Sequence, residues 1–155
     1  MRLDPFYLIV DSAAWIERLA IEECCDFVHL GQEDLAAADL SAIGNAGLKL
    51  GMSTHDHAEL AIALAAKPDY VALGPIYPTI LKQMKWAPQG LERIGEWKKL
   101  IGPLPLVAIG GLNPERLAGV FAQGADSAAV VTDITRAADP DARTREWIKT
   151  TARWR

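Results

Sequence analysis

The sequence predicts an α/β fold in which parallel strands alternate with helices. Six short apolar runs read as strands: Phe6 to Val10, Phe27 to Leu30, Leu48 to Met52, Tyr70 to Leu73, Leu106 to Ile109 and Ala128 to Val131. Helical patterns separate them. The strand starts, at residues 6, 27, 48, 70, 106 and 128, are spaced by 21, 21, 22, 36 and 22 residues. A step of that size holds one strand, one helix and two short loops, the unit from which parallel sheets are built.

Phe6 to Val10 is continuously apolar, as are most of the later strands, which suits a sheet covered on both faces. Ala13 to Glu23 is the first helical pattern and Phe27 to Leu30 the second strand. Leu35 to Asn45 follows as a helix, with Asp34 placed to cap it and Gly44 and Gly47 near its end. After Leu48 to Met52, the residues Ser53, Thr54 and Asp56 all suit the cap of a helix over His57 to Ala66. Tyr70 to Leu73 leads into the long step, whose extra length is the Pro- and Lys-rich segment Pro75 to Gly90. A long loop after a strand more often carries function than decoration. Helices over Leu91 to Leu100, Pro114 to Gln123 and Arg143 to Trp154 complete the pattern as one domain, residues 1–155. Six units leave two architectures open, a doubly wound sheet and a closed (β/α) barrel. The barrel needs eight strands and typically about 250 residues.

Composition excludes several classes of function. The net charge is −4, so there is no electrostatic drive toward nucleic acid or an anionic membrane. No run of 18 apolar residues exists to span a bilayer, and Met1 to Pro5 lacks the apolar stretch of a secretion signal. The two cysteines, Cys24 and Cys25, are adjacent in a predicted helix, where bridging geometry is poor. Two reduced thiols in a cytoplasmic protein are expected.

The chemistry lies at the carboxyl ends of the strands, where parallel α/β folds bind ligands. Gly110 and Gly111 end one strand before the helix at Pro114, and Val131 and Thr132 end the next. Glycines let backbone N–H groups approach a phosphate, and the final two strand loops of barrels often form a phosphate site. The same pair would also serve a tight turn. Glu33 and Asp34 supply carboxylates after the second strand, suited to a hard cation such as Mg²⁺ or, for Asp34, to the helix cap. Thr54-His55-Asp56-His57 lacks the third ligand of a zinc site and reads as a capped helix start, with Ser53 or His55 suited to a polar substrate contact. Lys82 and Lys85 lie in the long loop, either solvated or set against an anionic leaving group. Trp86, Trp97, Trp147 and Trp154 read as packing residues.

Together these segments resemble the thiamine-phosphate synthase family. The matching stretches are Val28 to Leu35, Leu50 to Asp56, Tyr70 to Thr79, Lys82 to Met84, Ala87 to Leu91, Ile109 to Gly111 and Ala128 to Val131. The resemblance implies a (β/α)₈ barrel and a Mg²⁺-dependent transferase. That reaction joins hydroxymethylpyrimidine diphosphate to thiazole phosphate, releasing pyrophosphate by a dissociative route with no protein nucleophile. It further implies that Asp34 is a Mg²⁺ ligand and that Ser53 and Lys82 contact the pyrimidine diphosphate and act in catalysis. Thr79 and the backbone around Ile80 and Leu81 would contact the thiazole, and Gly111, Val131 and Thr132 would cradle its phosphate. Leu81 stands where the family often has a second threonine.

Two family motifs do not occur in the 155 residues: the Gln-x-Arg-x-Lys of the second strand, which grips the diphosphate, and the Asn-Asp of the third, which supplies the other Mg²⁺ ligand. Trp15 to Leu19 resembles the family's first helix, and Ala20 to Glu23 the helix before its fourth strand. A junction near Leu19 and Ala20 therefore removes two βα units and leaves six of eight strands. Such a barrel would close smaller, associate with a second copy of itself or swap elements. The alternatives to the synthase are a catalytically dead phosphate-binding paralogue and a thiazole tautomerase-like isomerase.

Overall fold

The computed structural model of the chain describes residues 25–79 and 86–154. The expected strand Phe6 to Val10, the helix Ala13 to Glu23 and the junction near Leu19 lie outside the described residues. The chain divides into two compact units, Met1–Val71 and Ala72–Arg155.

In the first unit, strand β1 (Phe27–Leu30) is followed by helix α1 (Leu40–Asn45), strand β2 (Lys49–Thr54) and helix α2 (His57–Ala65). Strand β3 (Tyr70–Leu73) straddles the boundary between the units. β1 and β2 pair in parallel, from Phe27 opposite Lys49 to Leu30 opposite Met52. Val28 and Leu30 are buried while Phe27 and His29 face the half-covered side. Asp69, just before β3, accepts from the Leu50 N–H at 2.8 Å and donates its own N–H to the Leu50 carbonyl at 2.7 Å. That pins the entry of β3 against β2.

α1 begins later than the sequence predicts. Residues 32–37 form turns, and Asp34 accepts from the Gly31 N–H at 2.9 Å instead of capping a helix at Leu35. The cap is Asp39, whose carboxylate accepts from Ser41 and Ala42 N–H at 3.0 and 2.9 Å. Two amides satisfied at once make it the stronger start. α2 begins where expected. Asp56 accepts from Glu59 N–H at 2.9 Å, and Glu59 reaches back to His55 N–H at 2.9 Å, a reciprocal arrangement close to a capping box.

The second unit contains helix α3 (Gly90–Ile101), strand β4 (Leu106–Ile109), a 3₁₀ turn (Pro114–Arg116), helix α4 (Leu117–Ala122) and strand β5 (Ser127–Ala129). Helices α5 (Thr132–Thr135) and α6 (Pro140–Thr151) follow, and a second 3₁₀ turn (Ala152–Trp154) ends the described residues. β4 and β5 pair in parallel, Val107 opposite Ser127. Ile94, Trp97 and Ile101 fall on one face of α3 at helical spacing and are buried. Leu106, Ala108, Leu117 and Val120 are also buried in this unit. Asp126 repeats the role of Asp69: it accepts from the Leu106 N–H at 2.8 Å and from Lys98 Nζ at 2.7 Å.

β5 is shorter than the Ala128 to Val131 run predicts, because the backbone leaves the strand and bends at Val131 (φ −129°, ψ −75°) into α5. That four-residue helix was not expected. α6 starts three residues early, with Asp139 accepting from Ala142 N–H at 2.8 Å and Pro140 in the first turn, where its missing N–H costs nothing. Three of the tryptophans behave as packing residues: Trp97 and Trp147 are buried and Trp154 stacks on Phe121 at 4.4 Å. Cys25 is an exposed free thiol, and Cys24 lies outside the described residues. Among the described residues no helix is long and apolar enough to cross a membrane.

Candidate functional site

In the first unit, three strands bring together a polar line of side chains. His29 on β1 places Nε2 2.8 Å from Ser53 Oγ on β2 and Nδ1 2.9 Å from the Tyr70 hydroxyl on β3. The imidazole also stacks on the Tyr70 ring, centroids 5.5 Å apart. Gly51 makes this approach feasible, since a Cβ there would overlap the Tyr70 ring. Gln32 donates to the Ser53 carbonyl at 2.7 Å, so Ser53 is held through both its hydroxyl and its backbone. His55 pairs with Glu59 at 2.6 Å, which directs it to its own helix start.

Burial lowers the pKa of His29 from 6.5 to about 4, against the opposing pull of the Asp34 charge. The ring is therefore neutral near pH 7, and it donates through one nitrogen and accepts through the other. A histidine with a depressed pKa binds its proton less readily folded than unfolded. The stability it supports is fully present above pH 6.5 and is lost as pH falls from there toward 4. We expect denaturant unfolding of the wild-type protein to show this loss, and the His29→Gln variant to lack that component of the pH slope. Parallel pH profiles for the two proteins would contradict the assignment.

Asp34 stands at the end of this line with Oδ2 on the Gly31 N–H. Among the described residues no group of three His, Cys, Asp or Glu side chains is arranged to hold a metal.

In the second unit, Gly110 and Gly111 follow β4 with φ of +94° and +65°. A Cβ at Gly111 would lie 2.5 Å from the Pro78 carbonyl oxygen, and one at Gly110 would lie 2.7 Å from Pro75 Cα. Both the left-handed backbone and the close approach of the segment after β3 therefore demand glycine. The Ile76 and Tyr77 N–H groups donate to the Ile109 and Gly110 carbonyls at 2.9 and 3.1 Å, which carries Thr79 along the same loop. Arg116 donates to the Gly111 carbonyl and lies 4.3 Å over the Tyr77 ring. Val131 and Thr132 follow β5, both partly buried. Next to them, Asp133 is held by Arg143 and by Trp147 Nε1 at 2.7 Å.

The expected site residues thus divide between the units. Asp34 and Ser53 lie in the first; Thr79, Gly111, Val131 and Thr132 lie in the second. Ile80, Leu81, Lys82 and Lys85 lie outside the described residues. Sequence reasoning passed over His29 and Gln32 as partners of Ser53 and Tyr70 as a partner of His29, although a histidine inside an apolar strand was a signal. It also passed over Arg116 and the Asp133–Arg143 pair.

The profile of a family described as thiamine monophosphate synthase matches residues 8–134. A thiamine-phosphate synthase of Rhizobium etli is 55% identical over 201 aligned positions, which take in all of this chain and 98% of that protein. With 155 residues here, 201 − 155 = 46 of those positions have no counterpart in this chain. Because both proteins align nearly end to end, these positions are internal to the alignment, and their number is close to two βα steps of 21 to 22 residues. A thiamine-phosphate synthase of an Enterobacter species is 54% identical over 122 residues, covering 79% of this chain but only 58% of that protein. Among solved structures, a thiamine phosphate pyrophosphorylase from Pyrococcus furiosus is similar with a TM-score of 0.74 and 28% identity, over 89% of this chain and 65% of that one.

Proposed function

This chain belongs to the thiamine monophosphate synthase family, and from that premise we propose that it keeps the thiazole-phosphate half of the family's site and has lost most of its grip on the pyrimidine diphosphate. The observation that carries this reading is the uneven survival of the site. Gly111, Val131 and Thr132, the positions that the resemblance assigns to the thiazole phosphate, are present, and Gly110 and Gly111 take left-handed backbone. The Gln-x-Arg-x-Lys and Asn-Asp motifs are absent, and 46 aligned positions of the Rhizobium relative have no counterpart here.

In this reading the thiazole phosphate sits against the N–H groups of Gly111, Val131 and Thr132, with Thr79 and the backbone of Ile80 and Leu81 beside the ring. The pyrimidine diphosphate meets Ser53 and Lys82. In the reaction, the bond between the pyrimidine methylene carbon and the diphosphate oxygen breaks, and its electron pair leaves with pyrophosphate. The thiazole nitrogen lone pair then forms the new carbon–nitrogen bond. Such chemistry depends on positioning and charge stabilisation. Ser53, fixed by His29 and Gln32, offers a pre-oriented hydroxyl, and Lys82 offers a cation to the departing charge.

Mg²⁺ fits this chain only in part. Asp34 supplies one carboxylate, so the remaining ligands would be water and the diphosphate itself, a donor set Mg²⁺ accepts. Its contribution when bound would be to neutralise charge on the diphosphate.

Calorimetric titration tests the proposal. Thiazole phosphate should bind with a saturable isotherm, whereas pyrimidine diphosphate with Mg²⁺ should bind far more weakly or not measurably. No thiazole phosphate binding at millimolar concentration, or tight binding of the diphosphate, would refute it.

A further inference from the structure

We propose that Arg143 is a positioning residue for the phosphate end of the site, which by clasping Asp133 at two points stops that carboxylate from repelling a phosphate held by Gly111, Val131 and Thr132. The inference rests on the phosphate reading given above and adds to it the charge balance that would let this chain hold the anion.

Asp133 directly follows Thr132, so a carboxylate stands at the edge of a site meant for a dianion. Arg143 reaches it from α6 with Nε 2.7 Å from Oδ2 and Nη2 3.0 Å from Oδ1, the paired geometry that makes arginine–carboxylate bonds strong. Trp147, one turn further along α6, adds its indole N–H at 2.7 Å. The two side chains of the pair are largely covered, at 21% and 20% exposure. Arg143 also meets Glu146 at 2.7 Å and Glu115 at 3.6 Å, but those carboxylates are 49% and 64% exposed and water screens them.

Arg116 donates to the Gly111 carbonyl of the proposed cradle. Burial on its own would raise the pKa of Asp133; hydrogen bonds from Arg143 and Trp147, with the charges of Arg143 and Arg116, hold it below the ordinary carboxylate value. Asp133 therefore stays ionised and Arg143, bound to it at two points, carries most of its neutralisation, which leaves less of its negative charge to act on Arg116 or on a ligand at Gly111. Without Arg143, Asp133 would oppose the phosphate with a charge of the same sign and draw on Arg116.

The test is titration of wild type, Arg143→Ala, Asp133→Asn and the double variant with thiazole phosphate and with its unphosphorylated alcohol. Thermal melting of each protein shows whether it is folded at the titration temperature. Arg143→Ala should bind thiazole phosphate about tenfold more weakly, the size of one nearby like charge in a partly screened setting. Its affinity for the alcohol should not change. Asp133→Asn should bind the phosphate as wild type does or more tightly, and the double variant should return to within about twofold of wild type. If Asp133→Asn weakens binding or unfolds the protein, or if the double variant stays as weak as Arg143→Ala, the clasp serves structure alone and the inference is wrong. Failure of the wild type itself to bind thiazole phosphate would instead sink the phosphate reading, and this inference with it.

Discussion

Gly51→Ala should be among the most destabilising single-methyl substitutions in this protein, costing about 3 kcal/mol or more. Gly51 is in the middle of β2, and an added Cβ would occupy the space of the Tyr70 ring. Tyr70 is almost wholly buried, stacks on His29 and has its hydroxyl 2.9 Å from His29 Nδ1. It cannot move aside without giving up those contacts. Overpacking a closed core typically costs about 1–3 kcal/mol, and a broken buried hydrogen bond adds about 1 kcal/mol or more. Urea titration of the variant measures the loss. Combining Gly51→Ala with Tyr70→Leu should recover part of it, because the smaller side chain vacates the collision. A Gly51→Ala protein as stable as wild type would show that Gly51 and Tyr70 do not share this space.

Much of the fold was legible because strands in this chain are continuous apolar runs between turn residues. Phe27–Leu30, Tyr70–Leu73 and Leu106–Ile109 form strands at the expected positions for that reason. The misses have local physical causes. Leu35-Ala36-Ala37-Ala38 has strong helix propensity, yet Asp39 satisfies two amides further on and the helix waits for it. Ala128 to Val131 reads as one apolar strand, but the chain bends at Val131 and α5 begins. The left-handed glycines were visible as a Gly-Gly pair. The crowding that requires them, from Pro75 and Pro78, comes from residues more than 30 positions away and follows no periodicity. His29, Ser53 and Tyr70 likewise meet across separations of 24 and 41 residues. Ser53 stands out both from its place at the end of a strand and through the resemblance, while the histidine that orients it does not. In the sequence Arg143 marks only the start of the last helix, since its partner Asp133 lies ten residues earlier, across a loop.

Turnover should be the property most altered by what the chain lacks. The family's diphosphate grip includes an Arg and a Lys, and its metal site a second carboxylate, all within motifs absent from these residues. Removing a single preorganised electrostatic contact commonly costs about 10²- to 10³-fold in rate. Losses at one site do not multiply freely, but several together should hold synthesis about 10⁴-fold or more below ordinary enzyme rates. Lys82 and Asp34 would then be the remaining charged groups serving the diphosphate, so Lys82→Ala should erase whatever synthesis is left while sparing thiazole phosphate binding.

Steady-state release of pyrophosphate, measured with both substrates and Mg²⁺ saturating, tests the central claim most directly. The chain with 46 aligned positions absent should turn over at about 10⁻³ s⁻¹ or slower, while the Rhizobium relative assayed alongside supplies the reference for an intact site. A rate near 1 s⁻¹ from this chain would contradict the account, because it would mean that the diphosphate is gripped by residues other than those whose loss has been inferred.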